Sequence, residues 1–177
     1  MLEKLSDQWQ TPRWLFDKLD REFHFEFDVC ATAENTLCND FIENALAPSW
    51  DTTTRAGMPL GGRLFMNPPY SNSAPFIKRA WEEAERNTIV CLLKVDPSTK
   101  WWSIFWDYKT HNPKAGCQVR FLEKRVRFEA PKASVLEKYL EEGSEKDKKL
   151  AKSLLADKIT TPAFPSAVVV FNSRFYI

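Results

Sequence analysis

The chain has 177 residues, 44% of them hydrophobic and 28% charged, which fits one globular domain with its own core and excludes a disordered or low-complexity protein. Its longest apolar runs, residues 89–93 and 167–171, fall far short of the roughly 18 residues of a membrane-spanning helix, and the first residues form no apolar signal region, so a cytosolic location is expected. The net charge of +1 is too small to mark a charged partner by itself.

In chain order, Thr11-Pro12 predicts a helix start, with threonine as N-cap and proline at the first helical position; Leu15, Phe16, Leu19 and Phe23 then recur at helical spacing. Residues 25–29 alternate like a strand and end in the polar Cys30-Ala31-Thr32. Residues 32–61 read as irregular or weakly helical, with Pro48, Gly57, Pro59, Gly61 and Gly62 as breakers. Residues 63–66 form a short apolar strand that stops at Asn67-Pro68-Pro69. Ser73 is placed to cap a helix to about Arg86, with Phe76, Ile77, Ala80, Trp81 and Ala84 on one face. Residues 88–93 read as a buried strand and 99–108 as a short aromatic helix. Residues 117–122 and 126–128 read as strands that could pair as a hairpin. Residues 133–158 are helical in pattern with a break at Gly143, and 167–171 form a last strand. Strand, helix and strand alternate through the first hundred residues, which predicts an α/β fold on a mainly parallel sheet. Ligands of such sheets sit beyond the carboxyl ends of the strands, so Asp28 to Ala31 and Asn67 to Tyr70 should open onto one crevice.

Two local features bear on partners. Residues 100–132 hold eight Lys or Arg against three acids, with Trp101, Trp102, Phe105, Trp106 and Tyr108 in their first part. This segment reads equally as a nucleic-acid surface and as a solvated face beside a core-facing aromatic stripe. The four cysteines contain no Cys-x-x-Cys pair and there are only two histidines, so structural zinc is not expected and buried thiols are.

Asn67-Pro68-Pro69-Tyr70 carries the most specific chemistry. An adenine amino nitrogen is a poor nucleophile because its lone pair is delocalised into the ring. A carboxamide oxygen and a backbone carbonyl that each accept one amino proton polarise the nitrogen and favour a pyramidal geometry. Asn67 supplies the first acceptor and the Pro68 carbonyl the second. Two prolines fix φ and donate no N–H, so the loop is stiff and its carbonyl directions are set. Tyr70 offers a flat face to a base that must leave the duplex to be reached.

Asn67-Pro68-Pro69-Tyr70-Ser71 after a short strand resembles the catalytic motif of amino-group methyltransferases, and the wider chain resembles the phage-type Dam family of DNA adenine-N6 methyltransferases. Asp7-Gln8-Trp9-Gln10-Thr11-Pro12 resembles that family's Asp-x-Trp-x-Thr-Pro element, and Asp28-Val29-Cys30-Ala31 its Asp-Pro-Cys-Ala, with valine in place of proline. Trp50, the segment from Ser98 to Trp102, Arg125 with Phe128, and Phe164-Pro165-Ser166 before the last strand fall in matching order. The resemblance implies a Rossmann-like sheet, mainly parallel with an antiparallel closing hairpin, in a single domain over 1–177. It implies S-adenosylmethionine as methyl donor and DNA as substrate, with no metal and no membrane. Gln8, Trp9, Thr11, Asp28, Cys30 and Ala31 would bind the donor; Asn67, Pro68, Pro69 and Tyr70 would carry the transfer; Lys100, Trp101 and Arg125 would meet DNA. A helical insertion at about 133–158 departs from the family pattern. Two other readings stay open: transfer to another planar nitrogen (RNA adenine, cytosine N4 or a protein glutamine), and a non-catalytic DNA-binding protein on the same fold.

Overall fold

The computed structural model describes residues 2–47, 50 and 61–172. After a 3-10 turn at Leu5–Asp7, the elements run α1 (Arg13–Phe23), β1 (Phe27–Val29), β2 (Asp40–Ile42), β3 (Arg63–Met66), α2 (Ala74–Glu83) and β4 (Thr88–Lys94). A second 3-10 turn, Lys100–Ile104, precedes β5 (Trp106–Asp107), β6 (Asn112–Pro113), β7 (Cys117–Phe121) and β8 (Val126–Arg127). Then come α3 (Ala133–Glu142), α4 (Glu145–Leu155), β9 (Ala163–Phe164) and β10 (Ser166–Phe171).

Six strands form one sheet in the order β2-β1-β3-β4-β10-β7. The first four run parallel, and β10 is antiparallel to both of its neighbours. This is the expected mainly parallel α/β sheet closed by an antiparallel pair. Successive side chains of a strand point to opposite faces, and the core divides on that rule. Ile89, Cys91 and Leu93 of β4 join Ala167, Val169 and Phe171 of β10 beneath α2, whose Ile77 and Ala80 are fully buried. Val90 and Leu92 join Val168 and Val170 on the other face, against Leu15, Phe16 and Leu19 of α1. Each such buried aliphatic or aromatic side chain stabilises the fold by about 1.5–3 kcal/mol, so the two faces hold the sheet between helices. A third, smaller cluster buries Leu5 with Leu136, Tyr139 and Ala151, tying the N-terminal segment to α3 and α4.

Several expectations are corrected. Thr11 does not cap α1: Pro12 occupies the cap position without a side-chain cap bond, and its carbonyl accepts the N–H groups of Leu15 and Phe16. Ser73 likewise caps nothing through its side chain; its hydroxyl donates to the Pro69 carbonyl at 3.1 Å. Within 32–61, the stretch 40–42 is a strand rather than irregular, because pairing parallel to β1 satisfies its backbone. Pro48, Gly57 and Pro59 lie outside the described residues. Val126 does not pair back onto 117–122: β8 pairs with β9, while β7 lies against β10. Residues 99–108 give a single 3-10 turn and then a strand paired to β6. The break at Gly143 is observed between α3 and α4; a β-carbon there would come within 2.4 Å of the Tyr139 carbonyl oxygen, so only glycine fits without a shift.

Candidate active site

Parallel pairing aligns Val29, Met66 and Cys91 across the sheet, so the residues that follow β1 and β3 leave from one edge. A cavity of about 630 Å³ opens there, within the range that holds small-molecule ligands. Gln8, Trp9, Thr11, Asp28, Cys30, Ala31, Asn67 and Pro69 line it. Pro68 and Tyr70 do not, and neither do Lys100, Trp101 or Arg125. The opposite wall is Pro131, Ser134, Val135, Lys138 and Tyr139, from α3 and its approach, so the helical stretch that begins at Ala133 walls this cavity. Asn35, Glu43 and Asp7 also line it. The sequence signal for Asp7 was its place at the head of the Asp-x-Trp-x-Thr-Pro element. For the α3 residues there was none, because they reach the cavity only through the tertiary fold.

Asp28 sits at the floor, 6% exposed, and its Oδ2 accepts the Leu37 N–H at 2.9 Å. Burial raises its carboxyl from the ordinary 3.8 to about 7, opposed by the Leu37 hydrogen bond. A buried carboxylate with spare acceptor capacity is suited to a cation or to hydroxyl donors. The next turn is strained: Cys30 adopts a left-handed φ of 68° while its N–H bonds the Ile42 carbonyl at 3.0 Å. Non-glycine residues hold that conformation only where their surroundings impose it, and here it bends the chain around the cavity. Burial, with the Asp28 charge, pushes the Cys30 thiol well above its usual range, so it is not a nucleophile at neutral pH.

Asn67 follows β3 directly. Its Nδ2 donates to the Trp9 carbonyl at 3.4 Å, and its Oδ1 is buried with no hydrogen-bond partner among the described residues. An unmet buried acceptor costs about 1–3 kcal/mol, so its persistence at a cavity wall points to a ligand that donates there. Tyr70 is held by its neighbours: its ring meets Phe128 and Phe164 edge-on at 5.6 and 5.8 Å, and its hydroxyl donates to the Leu92 carbonyl at 3.3 Å. Burial drives its phenol far above the usual range, so it stays protonated. The part of Tyr70 left uncovered lines a second, mostly apolar depression of about 420 Å³ with Trp9, Ser71, Pro162 and Phe164. Asp7 and Trp9 line both spaces and so stand between them.

A family model for DNA N-6-adenine-methyltransferase (Dam) matches residues 1–155. The chain belongs to the Dam family. A DNA N-6-adenine-methyltransferase of Haemophilus phage HP1 (strain HP1c1) is 38% identical over 106 residues, 56% of this chain and 56% of the relative. Another of that name, from Escherichia phage T1, is 31% identical over 106 residues, 57% of this chain and 41% of the relative. The match thus spans about half the length of these curated relatives.

Within this Dam-family chain the three basic-segment residues lie apart from the cavity but not at random. Lys94, Ser166, Ala167 and Phe121 are aligned by the pairing of β4, β10 and β7, so β4 and β7 end at the same sheet edge as β3. Lys100 follows β4 and Arg125 follows β7, and both are exposed. Trp101 is half-buried, its ring tilted against Trp102 at 5.5 Å. Trp102 and Phe105 are fully buried, so the aromatic stripe mainly serves the core and the charged side chains project from it. Among the described residues, no group of three or more His, Cys, Asp or Glu is placed to hold a metal ion, and no helix is long and apolar enough to cross a membrane.

Proposed function

We propose that this chain transfers a methyl group from S-adenosylmethionine to the N6 amino group of adenine in DNA. The single observation that carries this is the Oδ1 of Asn67, buried at the wall of the larger cavity with no hydrogen-bond partner among the described residues, three residues before the Tyr70 that lines the smaller one. S-adenosylmethionine supplies an electrophilic methyl on a sulfonium, together with an ammonium, a carboxylate and ribose hydroxyls. The larger cavity fits such a ligand by size and by donor set: Asp28 accepts from the ammonium or the ribose, and Cys30 and Ala31 are small enough for close approach to the backbone. Trp9 supplies a flat wall, and Gln8 and Thr11 supply polar contacts. Lys138 is a cation on the α3 wall that suits the carboxylate.

The apolar depression beside Tyr70 takes the adenine, turned out of the duplex at a cost of a few kcal/mol. Asn67 Oδ1 and the Pro68 carbonyl accept the two amino protons and raise electron density on the nitrogen. Because the two prolines fix the loop, little reorganisation is needed at the moment of transfer. The amino proton lost afterwards leaves to solvent, since the Tyr70 hydroxyl is protonated and already donates to the Leu92 carbonyl and Cys30 is not ionised. Lys100, Trp101 and Arg125, on loops from the same sheet edge, engage the DNA beside the target base, the two cations at its phosphates.

The test is direct. Purified chain is incubated with S-adenosylmethionine bearing a labelled methyl and with duplex DNA, and the digested nucleosides are analysed by mass spectrometry. Label in N6-methyladenine is the expected result. Label only in N4-methylcytosine, in RNA or in protein would redirect the substrate. Donor binding without any transfer would leave a non-catalytic member of the family.

A further inference from the structure

The N-terminal segment, residues 2–10, is a strap fixed at both ends. Near its start, Leu5 is fully buried among Leu136, Tyr139 and Ala151, and its N–H donates to Asp147 Oδ1 at 3.1 Å. The Tyr139 hydroxyl donates to the Glu3 carbonyl at 2.9 Å. At its far end, Gln10 and Glu129 exchange both backbone hydrogen bonds, at 3.0 and 2.9 Å. Between these anchors the strap faces the loop that carries Asn67. Asp7 Oδ1 accepts the Ser71 N–H at 3.0 Å and Asp7 Oδ2 accepts the Ser71 hydroxyl at 2.5 Å. The Trp9 carbonyl accepts the Asn67 amide.

The loop needs such an external hold. Pro68 and Pro69 have no N–H to give, so beyond the Pro69 carbonyl, which accepts the Ser73 hydroxyl from within the loop's own continuation, the loop is held against the rest of the fold from the residues that flank them. On one side Asn67 is bonded to Trp9, and on the other Ser71 presents both of its donors to a single carboxylate. Two charge-assisted bonds to one carboxylate fix direction as well as distance.

We propose that Asp7 is a positioning residue for methyl transfer: through Ser71 it sets the Asn67–Tyr70 loop, and the α3–α4 helix pair, by anchoring the strap, is the buttress behind it. The inference rests on the transfer activity proposed above, and it gives the helix pair a role in the reaction instead of in DNA recognition. Asp7 borders the donor cavity, but both of its carboxylate oxygens are taken up by Ser71, so its loss slows turnover and leaves the binding of donor little changed.

The experiment is a double-mutant cycle of Asp7→Ala and Ser71→Ala on the full chain, measured as kcat and KM for labelled methyl transfer to DNA. Donor affinity is read separately from the ligand-induced rise in Tm. Asp7→Ala should lower kcat by roughly 10- to 100-fold, the scale of a misplacement of about an ångström, with donor affinity kept within about threefold. Ser71→Ala, which removes only the hydroxyl bond and keeps the Ser71 N–H on Asp7, should lower kcat less, and the double variant should be little worse than Asp7→Ala, which already removes both bonds. Asp7→Asn, which can still accept the Ser71 N–H, should recover most of the loss. Ser71 is exposed and Asp7→Asn is nearly isosteric, so these two variants decide the matter if Asp7→Ala is poorly folded. Full kcat in Asp7→Ala, additive effects in the cycle, or a loss confined to donor binding would each overturn the proposal while the wild type still methylates DNA. A wild type that transfers no methyl to DNA would instead remove the activity on which it rests.

Discussion

Asp28→Asn tests the floor of the cavity through stability before any ligand is added. The carboxyl titrates near pH 7 in the fold and near 3.8 when its surroundings are removed, a gap of roughly three pH units. At about 1.4 kcal/mol per unit this corresponds to at most about 4 kcal/mol, an upper bound because the cavity admits water. The sign follows from proton uptake. Between pH 4 and 7 the folded chain holds a proton here that the unfolded chain has lost, so wild-type stability falls as pH rises through that window and levels off above it. Asparagine does not ionise, and its Oδ1 can still accept the Leu37 N–H. The variant therefore escapes the fall. For a chain of this size, with roughly 2–4 °C of Tm per kcal/mol, its Tm should match wild type near pH 4 and exceed it by about 5–15 °C above pH 7. Thermal unfolding of both proteins across pH 4–9, without ligand, gives the difference curve. The same variant should lose most of the Tm rise produced by S-adenosylmethionine if, as proposed, the ligand donates to this carboxylate. A difference curve that is flat with pH, or a less stable variant at pH 8, would refute the desolvated carboxylate and with it the reason for placing a cation or hydroxyls there.

Asn67→Ala should cut methyl transfer by at least about 10²-fold, the scale for removing one preorganised hydrogen-bond partner of the reacting group, while the donor-induced Tm shift stays near wild type; near-normal turnover would show that Asn67 does not hold the amino group. Lys100→Ala and Arg125→Ala should each weaken DNA binding and reduce the slope of log affinity against log salt by about 0.9; unchanged slopes in binding titrations would take both loops out of the DNA interface. Gly61→Ala should destabilise the fold by about 1–3 kcal/mol, because a β-carbon there would lie 2.2 Å from the backbone oxygen of Arg86; an unchanged Tm would mean that the chain entering β3 shifts freely.

Much of this molecule was legible locally. The 3.6-residue spacing of Leu15, Phe16, Leu19 and Phe23 gave α1, the apolar runs gave β4 and β10, and Gly143 marked the break between α3 and α4. The Asn67-Pro68-Pro69-Tyr70 loop stood out because its chemistry is contained in four adjacent residues. Cap and strand assignments failed where one local option competed with another partner. The Ser73 hydroxyl went to the Pro69 carbonyl, and 40–42 became a strand only because β1 was there to pair with it. Val126 found Phe164 instead of the nearer strand.

The sequence by itself determined the periodicities, the stiffness of the proline loop and the identity of its acceptor groups, all of which depend on neighbours a few positions apart. Only the tertiary structure decided that α3 walls the cavity, that Asn67 keeps a bare oxygen there, and that Asp7 grips Ser71. The packing behind them joins residues far apart in the chain, separated by 64, 136 and 142 positions in Asp7–Ser71, Glu3–Tyr139 and Leu5–Asp147. No local pattern specifies such pairs, because the chain reaches them by burying its apolar faces and then satisfying whichever polar groups that packing brings together.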